Sequence, residues 1–155
     1  MAKVKGMTTR IKDWMVTVLD ELNDADGDAV FKKAEVYVNQ LESGTESFAG
    51  LEPFAFVEYF TAQPAREGDF DLNDRLRFAV LIGFESKHPG VARDGDDNHL
   101  GASRARDLVI DAFDGAHPGD GFDCDDMEYD GERELVDIPK RYATFLFFKC
   151  NRMRS

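Results

Sequence analysis

No stretch of this chain approaches the roughly 20 consecutive apolar residues that a membrane-spanning helix needs, which excludes such a helix. Cysteine is scarce. Cys124 and Cys150 are the two present, and neither a disulfide framework nor a CxxC or Cys/His zinc spacing can be built from them. Two free thiols are expected. The three histidines, His88, His99 and His117, are scattered, and two of them open His-Pro-Gly turns. His88 and His99, with Asp94, Asp96 and Asp97 between them, outline a weak candidate for a metal-dependent site. Turn composition explains them equally well. A nucleophile elbow, a P-loop and a GxGxxG fingerprint are all missing. The N-terminal "MAKVKGMTTRIKDWM" has charge but no apolar h-region, so no signal peptide is expected. Met7 is a candidate start, and residues 1–7 read as a flexible leader. The enzyme reading is weak throughout, and no cofactor or metal is expected.

What is present is a folding composition: 43% hydrophobic, 12% aromatic, with thirteen phenylalanines in 155 residues. That suits one domain with a Phe-rich core. The formal net charge is −12, and its distribution says more than its size. Residues 94–137 hold fifteen acids and three bases, whereas the rest of the chain holds sixteen of each. Residues 140–155 carry five bases and no acid. An acidic sector beside basic ends points to an electrostatically oriented partner. It opposes direct, sequence-specific binding of nucleic acid, since phosphate repels carboxylate. A solvated acidic surface that keeps the protein soluble is the plain alternative.

Periodicity supplies the elements. Thr8 or Thr9 can cap a first helix, on which Ile11, Trp14, Met15, Val18, Leu19 and Leu22 form one apolar stripe. "NDADGD" ends it, with Gly27 available for a left-handed conformation. Val36, Tyr37 and Val38 favour a strand within Ala29–Gln40. "FAFVEYFTA" is a second strand, with Phe54, Phe56, Glu58 and Phe60 on one face. "RLRFAVLIGFES" alternates strictly and reads as a central strand buried on both faces at its far end. The joining segment, Gln63–Asp74, is too long for a tight turn. Asn98 can cap a second helix with Ala105, Leu108, Val109, Ala112 and Phe113 inward. "YATFLFFKC" is a last strand. The expected fold is α+β: a single domain over 8–150 in the order α-β-β-β-α-β-β. Its four- to five-stranded, mostly antiparallel sheet carries two packed helices. Residues 151–155 read as a basic tail.

The stretch "FDCDDMEYDGERELVD" concentrates the acidic sector. Read as a calcium loop with Gly131 at position 6, it places Asp126, Glu128 and Asp130 well. It fails at Arg133, where an apolar residue belongs, and at Asp137, where a bidentate Glu belongs. Asp130-Gly131 is a strong signal for a type I′ hairpin turn. Its arm would put Cys124, Asp126 and Glu128 on one face and Asp123, Asp125, Met127 and Tyr129 on the other, charged enough to sit at a sheet edge. The thiol of Cys124, among acids, is expected to be unreactive.

Taken together, "TTRIKDWMVTVLDEL", "VFKKAEVYVNQL", "PFAFVEYF", "RLRFAVLIGFES", "ASRARDLVIDAF" and "RYATFLFF" in this order resemble the tail-terminator (tail-completion) proteins of tailed bacteriophages, in particular their Mu-like prophage members. The resemblance covers nearly the whole chain. It implies an α+β subunit that forms a homo-oligomeric ring, with a hexamer expected, capping the head-proximal end of the tail tube. Such a ring meets the tube and the neck or head-completion proteins, belongs to the virion tail and is assembled in the cytoplasm of the bacterial host. No catalytic residue is implied. Rings close through heterologous contacts. The expected contact set is Asp123, Asp125, Asp126, Glu128, Asp130, Glu132 and Glu134 against Lys140, Arg141, Lys149, Arg152 and Arg154, or against the N-terminal set of bases from Lys3 to Lys12. An acidic lumen that lets DNA pass is another use of the same carboxylates. The alternative function is a small acidic inhibitor or immunity-type protein that blocks a basic site on a toxin or nuclease.

Overall fold

Ile11, Met15 and Leu19 recur four residues apart, which places all three on one side of a helix, and all three are buried. That helix, α1, spans Met7–Asp20 in the computed structural model, which describes residues 5–38, 53–64, 74–85, 93–95, 100–135 and 141–152. Trp14, Val18 and Leu22 pack partly buried beside the same stripe. The N-cap is Gly6, with no side-chain cap, rather than Thr8 or Thr9. Beyond α1, the Asp24 carboxylate accepts the backbone N–H groups of Asp26 at 2.9 Å and Asp28 at 3.0 Å. Gly27 takes φ +85° inside that turn, the left-handed conformation that glycine tolerates best. Val30 N–H then bonds back to Leu22 O at 3.0 Å.

The strands are β1 (Lys33–Val36), β2 (Phe54–Pro64), β3 (Asp74–Glu85), β4 (Glu128–Leu135) and β5 (Arg141–Arg152). A second helix, α2 (Ala102–Phe113), lies between β3 and β4. The element order is therefore the expected α-β-β-β-α-β-β, in a single α+β arrangement. The five strands form one sheet in the order β1-β2-β3-β5-β4. β1 runs parallel to β2, and the other three pairings are antiparallel.

β3 is central, as its strict alternation predicts. Leu76, Phe78, Val80, Ile82 and Phe84 are buried toward the helices, and Ala79 and Leu81 are buried on the other face. It pairs with β5 over twelve consecutive positions, from Asp74↔Arg152 to Glu85↔Arg141. α1 lies over β1 and β2, and α2 over β5, β3 and β4. Trp14 of α1 meets Phe113 of α2 edge-on, with centroids 5.6 Å apart. Phe113 in turn stands 5.2 Å from Phe148 of β5. Phe78, Phe113 and Phe148 are fully buried, and each such burial stabilises by about 2–3 kcal/mol.

α2 starts later than expected. Its N-cap is Gly101, without a side-chain cap bond, and Asn98 lies outside the described residues. A methyl at position 101 would overlap the backbone of Asp94 and Gly95, so close chain approach holds that helix start. Ala105, Val109 and Phe113 are buried as expected and Ala102 joins them, whereas Leu108 and Ala112 are half-buried.

Asp130-Gly131 does not make the hairpin turn. β4 continues through it, and its pairing with β5 shifts register between Tyr129 and Glu132. Gly131 has φ +99° at this bulge. A type I′ turn and a glycine bulge both require positive φ, so the dipeptide alone does not separate them. β5 does, by offering a partner on both sides of the shift. Residues 136–140, which join the two strands, lie outside the described residues.

Candidate docking surface

The loop between α2 and β4 holds much of the acidic sector, and its path is set by internal bonds. Gly115 N–H bonds to Met127 O, and Met127 N–H to Ala116 O, both at 2.7 Å. The Asp114 carboxylate accepts Tyr129 N–H at 3.0 Å. His117 Nδ1 accepts Gly119 N–H at 2.9 Å, which leaves Nε2 protonated to donate to Cys124 O at 2.9 Å. One neutral tautomer thus satisfies both contacts, and this histidine serves the loop. Arg10 of α1 donates to Gly121 O at 3.1 Å and stacks its guanidinium 4.4 Å from the Phe122 ring centroid. An N-terminal base therefore anchors the acidic loop within the same chain.

The seven carboxylates of the expected contact set divide sharply. Asp125 is bound to the end of β5: Asn151 donates its backbone N–H to Oδ1 at 2.6 Å and its side-chain amide to Oδ2 at 2.8 Å. Asp130 lies 3.1 Å from Arg77 Nε and 3.5 Å from Lys149 Nζ. Glu132 receives Arg106 of α2 at 2.5 Å, and Glu134 receives the Tyr142 hydroxyl at 2.6 Å. The hydrogen bond to Glu132 pushes the Arg106 pKa further up, against partial burial. Burial, then the Glu134 contact, raises that of Tyr142. Asp123, Asp126 and Glu128 remain exposed without an ion pair among the described residues. Three of the seven are thus available to a partner, because sheet and helix neighbours hold the other four.

The expected alternation along 123–129 is also corrected. Cys124, Met127 and Tyr129 all face the helix-side core, since residues 125–127 lie outside a strand and break the period of two. Cys124 and Cys150 are both buried free thiols. Burial is the main cause that raises both, with Asp125, Asp123 and Asp126 adding to it at Cys124, and the Cys150 thiol is pushed up to about 12.

Of the basic set, Lys149 is half-buried against Asp130 and Arg152 is exposed at the end of β5, bridged through its backbone to Cys124. Arg141 opens β5 opposite Glu85. Lys140 and Arg154 lie outside the described residues, as do His88 and His99. Among the described residues, no group of three His, Cys, Asp or Glu side chains converges as a metal site would require.

The face of the sheet turned away from the helices shows what sequence reading missed. At one end Phe54, Phe56, Leu81 and Ala143 are buried, with Tyr37 and Phe145 packed against them. Toward the other end the face opens. Phe60, at the bulge between Tyr59 and Thr61, is 45% exposed. It meets Phe147 edge-on at 5.5 Å, and Phe147 stacks with Phe145 at 6.1 Å. The Arg77 guanidinium lies 4.2 Å from the Phe147 centroid, within cation–π range. Exposed Arg75 and Arg133 flank this row. The signal was present in the alternation of Phe145 and Phe147 with Lys149, but "YATFLFFKC" read simply as a hydrophobic strand.

The site defines a class by its surfaces: an α+β domain with an acidic loop packed against the helix side and, on the opposite sheet face, an aromatic patch edged by arginines and by the carboxylates of Glu58, Glu128 and Asp130. In comparisons with known proteins, no family model matches the chain, and no curated protein matches it.

Proposed function

We propose that this chain is a structural, non-enzymatic subunit of the tail-terminator kind. It would self-associate into a ring, with a hexamer expected, that caps a phage or prophage tail tube in the virion and docks neck or head-completion proteins. The observation that carries this reading is the order α-β-β-β-α-β-β in one sheet-and-helix domain, the arrangement that the tail-terminator resemblance implies. The arrangement of its surfaces supports it. The acidic loop and the open aromatic patch are two different surfaces of one subunit, and heterologous ring contacts join two different patches. An inhibitor that mimics DNA would instead need a dense array of free carboxylates, and four of the seven here are bonded within the chain.

Size-exclusion chromatography with light scattering, followed by electron microscopy of the oligomeric fraction and of tail tubes mixed with the protein, tests the proposal. A ring alone or at one tube end is expected. A monomer at every concentration, with no particle at tube ends, would refute it.

A further inference from the structure

Asp-Gly occurs five times in the chain, at Asp26-Gly27, Asp94-Gly95, Asp114-Gly115, Asp120-Gly121 and Asp130-Gly131. Glycine has no side chain to shield its amide nitrogen, so that nitrogen can reach Cγ of the aspartate before it. Ring closure needs both reactants free: a carboxyl that no partner holds, and an N–H with no acceptor to break from. The sequence makes the five pairs alike, and the fold separates them.

Four of the five are blocked by named contacts. At Asp114-Gly115 both reactants are held: the carboxylate accepts Tyr129 N–H at 3.0 Å, and Gly115 N–H bonds to Met127 O at 2.7 Å. Gly27 N–H is bonded to Asp24 O at 3.0 Å. The Asp94 carboxylate lies 3.3 Å from Arg93 Nε, and the Gly95 nitrogen is covered by Gly101, where an added methyl would overlap it. The Asp130 carboxylate is shared by Arg77 and Lys149, within the continuous strand β4.

Asp120-Gly121 differs on both counts. Asp120 is exposed, and its carboxylate makes no hydrogen bond or ion pair among the described residues. Gly121 is exposed at φ +87°, and its N–H meets no acceptor among them. The neighbouring contacts engage other atoms: Gly119 N–H bonds to His117, and Arg10 donates to Gly121 O at 3.1 Å and covers the Phe122 ring. The loop is pinned on each side while the reacting pair is left open.

We propose that Asp120-Gly121 is a self-modification site of the folded protein, at which aspartate isomerises to isoaspartate. The Gly121 nitrogen attacks Asp120 Cγ. The N–Cγ bond forms as the carboxyl hydroxyl and the amide proton leave together as water. Water then opens the succinimide ring at one carbonyl or the other, restoring aspartate or giving isoaspartate, whose main chain runs through the β-carboxyl group. No other reactant is consumed, and self-association is not required. The isoaspartyl linkage adds a methylene to the main chain just before Gly121, which draws Gly121 O and Phe122 away from Arg10. The product is an aged chain in which α1 no longer anchors the acidic loop.

The experiment incubates the full chain in warm neutral buffer and maps isoaspartate by peptide mass spectrometry, with an isoaspartyl methyltransferase as the label. In the native chain position 120 should lead, with each of the other four about tenfold slower, the factor that about one retained hydrogen bond imposes. In guanidinium chloride, where those contacts are gone, all five should react at similar rates. Asp120→Glu, which keeps the charge at an exposed position, should lose most of the isoaspartate formed by the native chain. Equal labelling of the five sites in the native chain, or another site ahead of position 120, would overturn the assignment. The isoaspartate-bearing fraction should unfold at a lower urea concentration than the fresh chain, and equal midpoints would overturn the loss of the Arg10 anchor.

Discussion

Asp125 and Asn151 are joined by three hydrogen bonds: two from Asn151 to the Asp125 carboxylate, and one from Asp125 N–H to Asn151 O at 3.0 Å. The carboxylate fastens the acidic loop to the last strand, just before Arg152. Asp125→Ala leaves the Asn151 amide groups without their acceptor and should destabilise the fold by about 1–3 kcal/mol. Urea unfolding of the two chains measures it. Asp126→Ala, whose side chain is exposed without an ion pair among the described residues, should stay within about 0.5 kcal/mol of the parent. Equal losses at both positions would contradict the distinction. Charge reversal at Asp125 is consequently a poor probe of docking, because it damages the loop itself.

Gly83 sits opposite Phe54 in the β2–β3 register, and a methyl at position 83 would overlap the Phe54 ring. Both residues lie in the buried end of the open face. Gly83→Ala should cost about 1–3 kcal/mol through overpacking. Combining it with Phe54→Leu should recover part of that loss. A thermal midpoint for Gly83→Ala equal to that of the parent would show that the ring moves aside freely.

Phe113 links α1 to β5 through Trp14 and Phe148. Phe113→Ala should cost about 3–5 kcal/mol, the range for removing a buried ring and leaving a cavity. Trp14 is the single tryptophan, so its fluorescence reports the change directly. A red-shifted native emission maximum in the variant is expected, together with a lower denaturation midpoint. An unshifted spectrum would mean that Trp14 keeps its environment without Phe113.

The buried thiols give a pH dependence with a definite sign. In the fold the Cys150 thiol is pushed up to about 12, chiefly by burial, while in the unfolded chain it titrates near the ordinary thiol value of about 8.5. Above that value the unfolded state has released a proton that the folded state retains. Stability contributed by this group is thus fully present below the unfolded pKa and declines as pH rises toward 12. The raised values at Cys124 and Tyr142 act in the same direction. Chemical denaturation between pH 8 and pH 10.5 should show falling stability, with a shallower slope in Cys150→Ala. In the native protein both thiols should react slowly with a thiol reagent at pH 8, and rapidly once unfolded. Fast native labelling would contradict their burial.

Self-association carries a salt prediction of its own. If charge orients the subunit contact, association should weaken as the Debye length falls from about 10 Å at 0.1 M to about 3 Å at 1 M salt. An apolar contribution should persist, so salt should shift the equilibrium without abolishing it. Dilution series at several salt concentrations would measure the slope, and a slope of zero would leave charge without a role in the contact.

The sequence by itself determined what depends on local periodicity. Ile11, Met15 and Leu19 recur at helical spacing, and Leu76 to Phe84 alternate with a period of two. A buried stripe or face can be read from such spacing before any contact is known. The domain type and element order follow from the same patterns, and so does the role of Gly27. Tertiary structure alone decided what depends on partners distant in the chain. Asp130-Gly131 became a bulge because β5 was there to pair on both sides of it. Asp125, Asp130, Glu132 and Glu134 lost their freedom to Asn151, Arg77, Lys149, Arg106 and Tyr142, none of which their immediate neighbours reveal. Phe60, Phe145 and Phe147 came together because β3 lies between β2 and β5. Charge and hydrophobicity are properties of residues, whereas availability to a partner is a property of the surface that folding leaves uncovered.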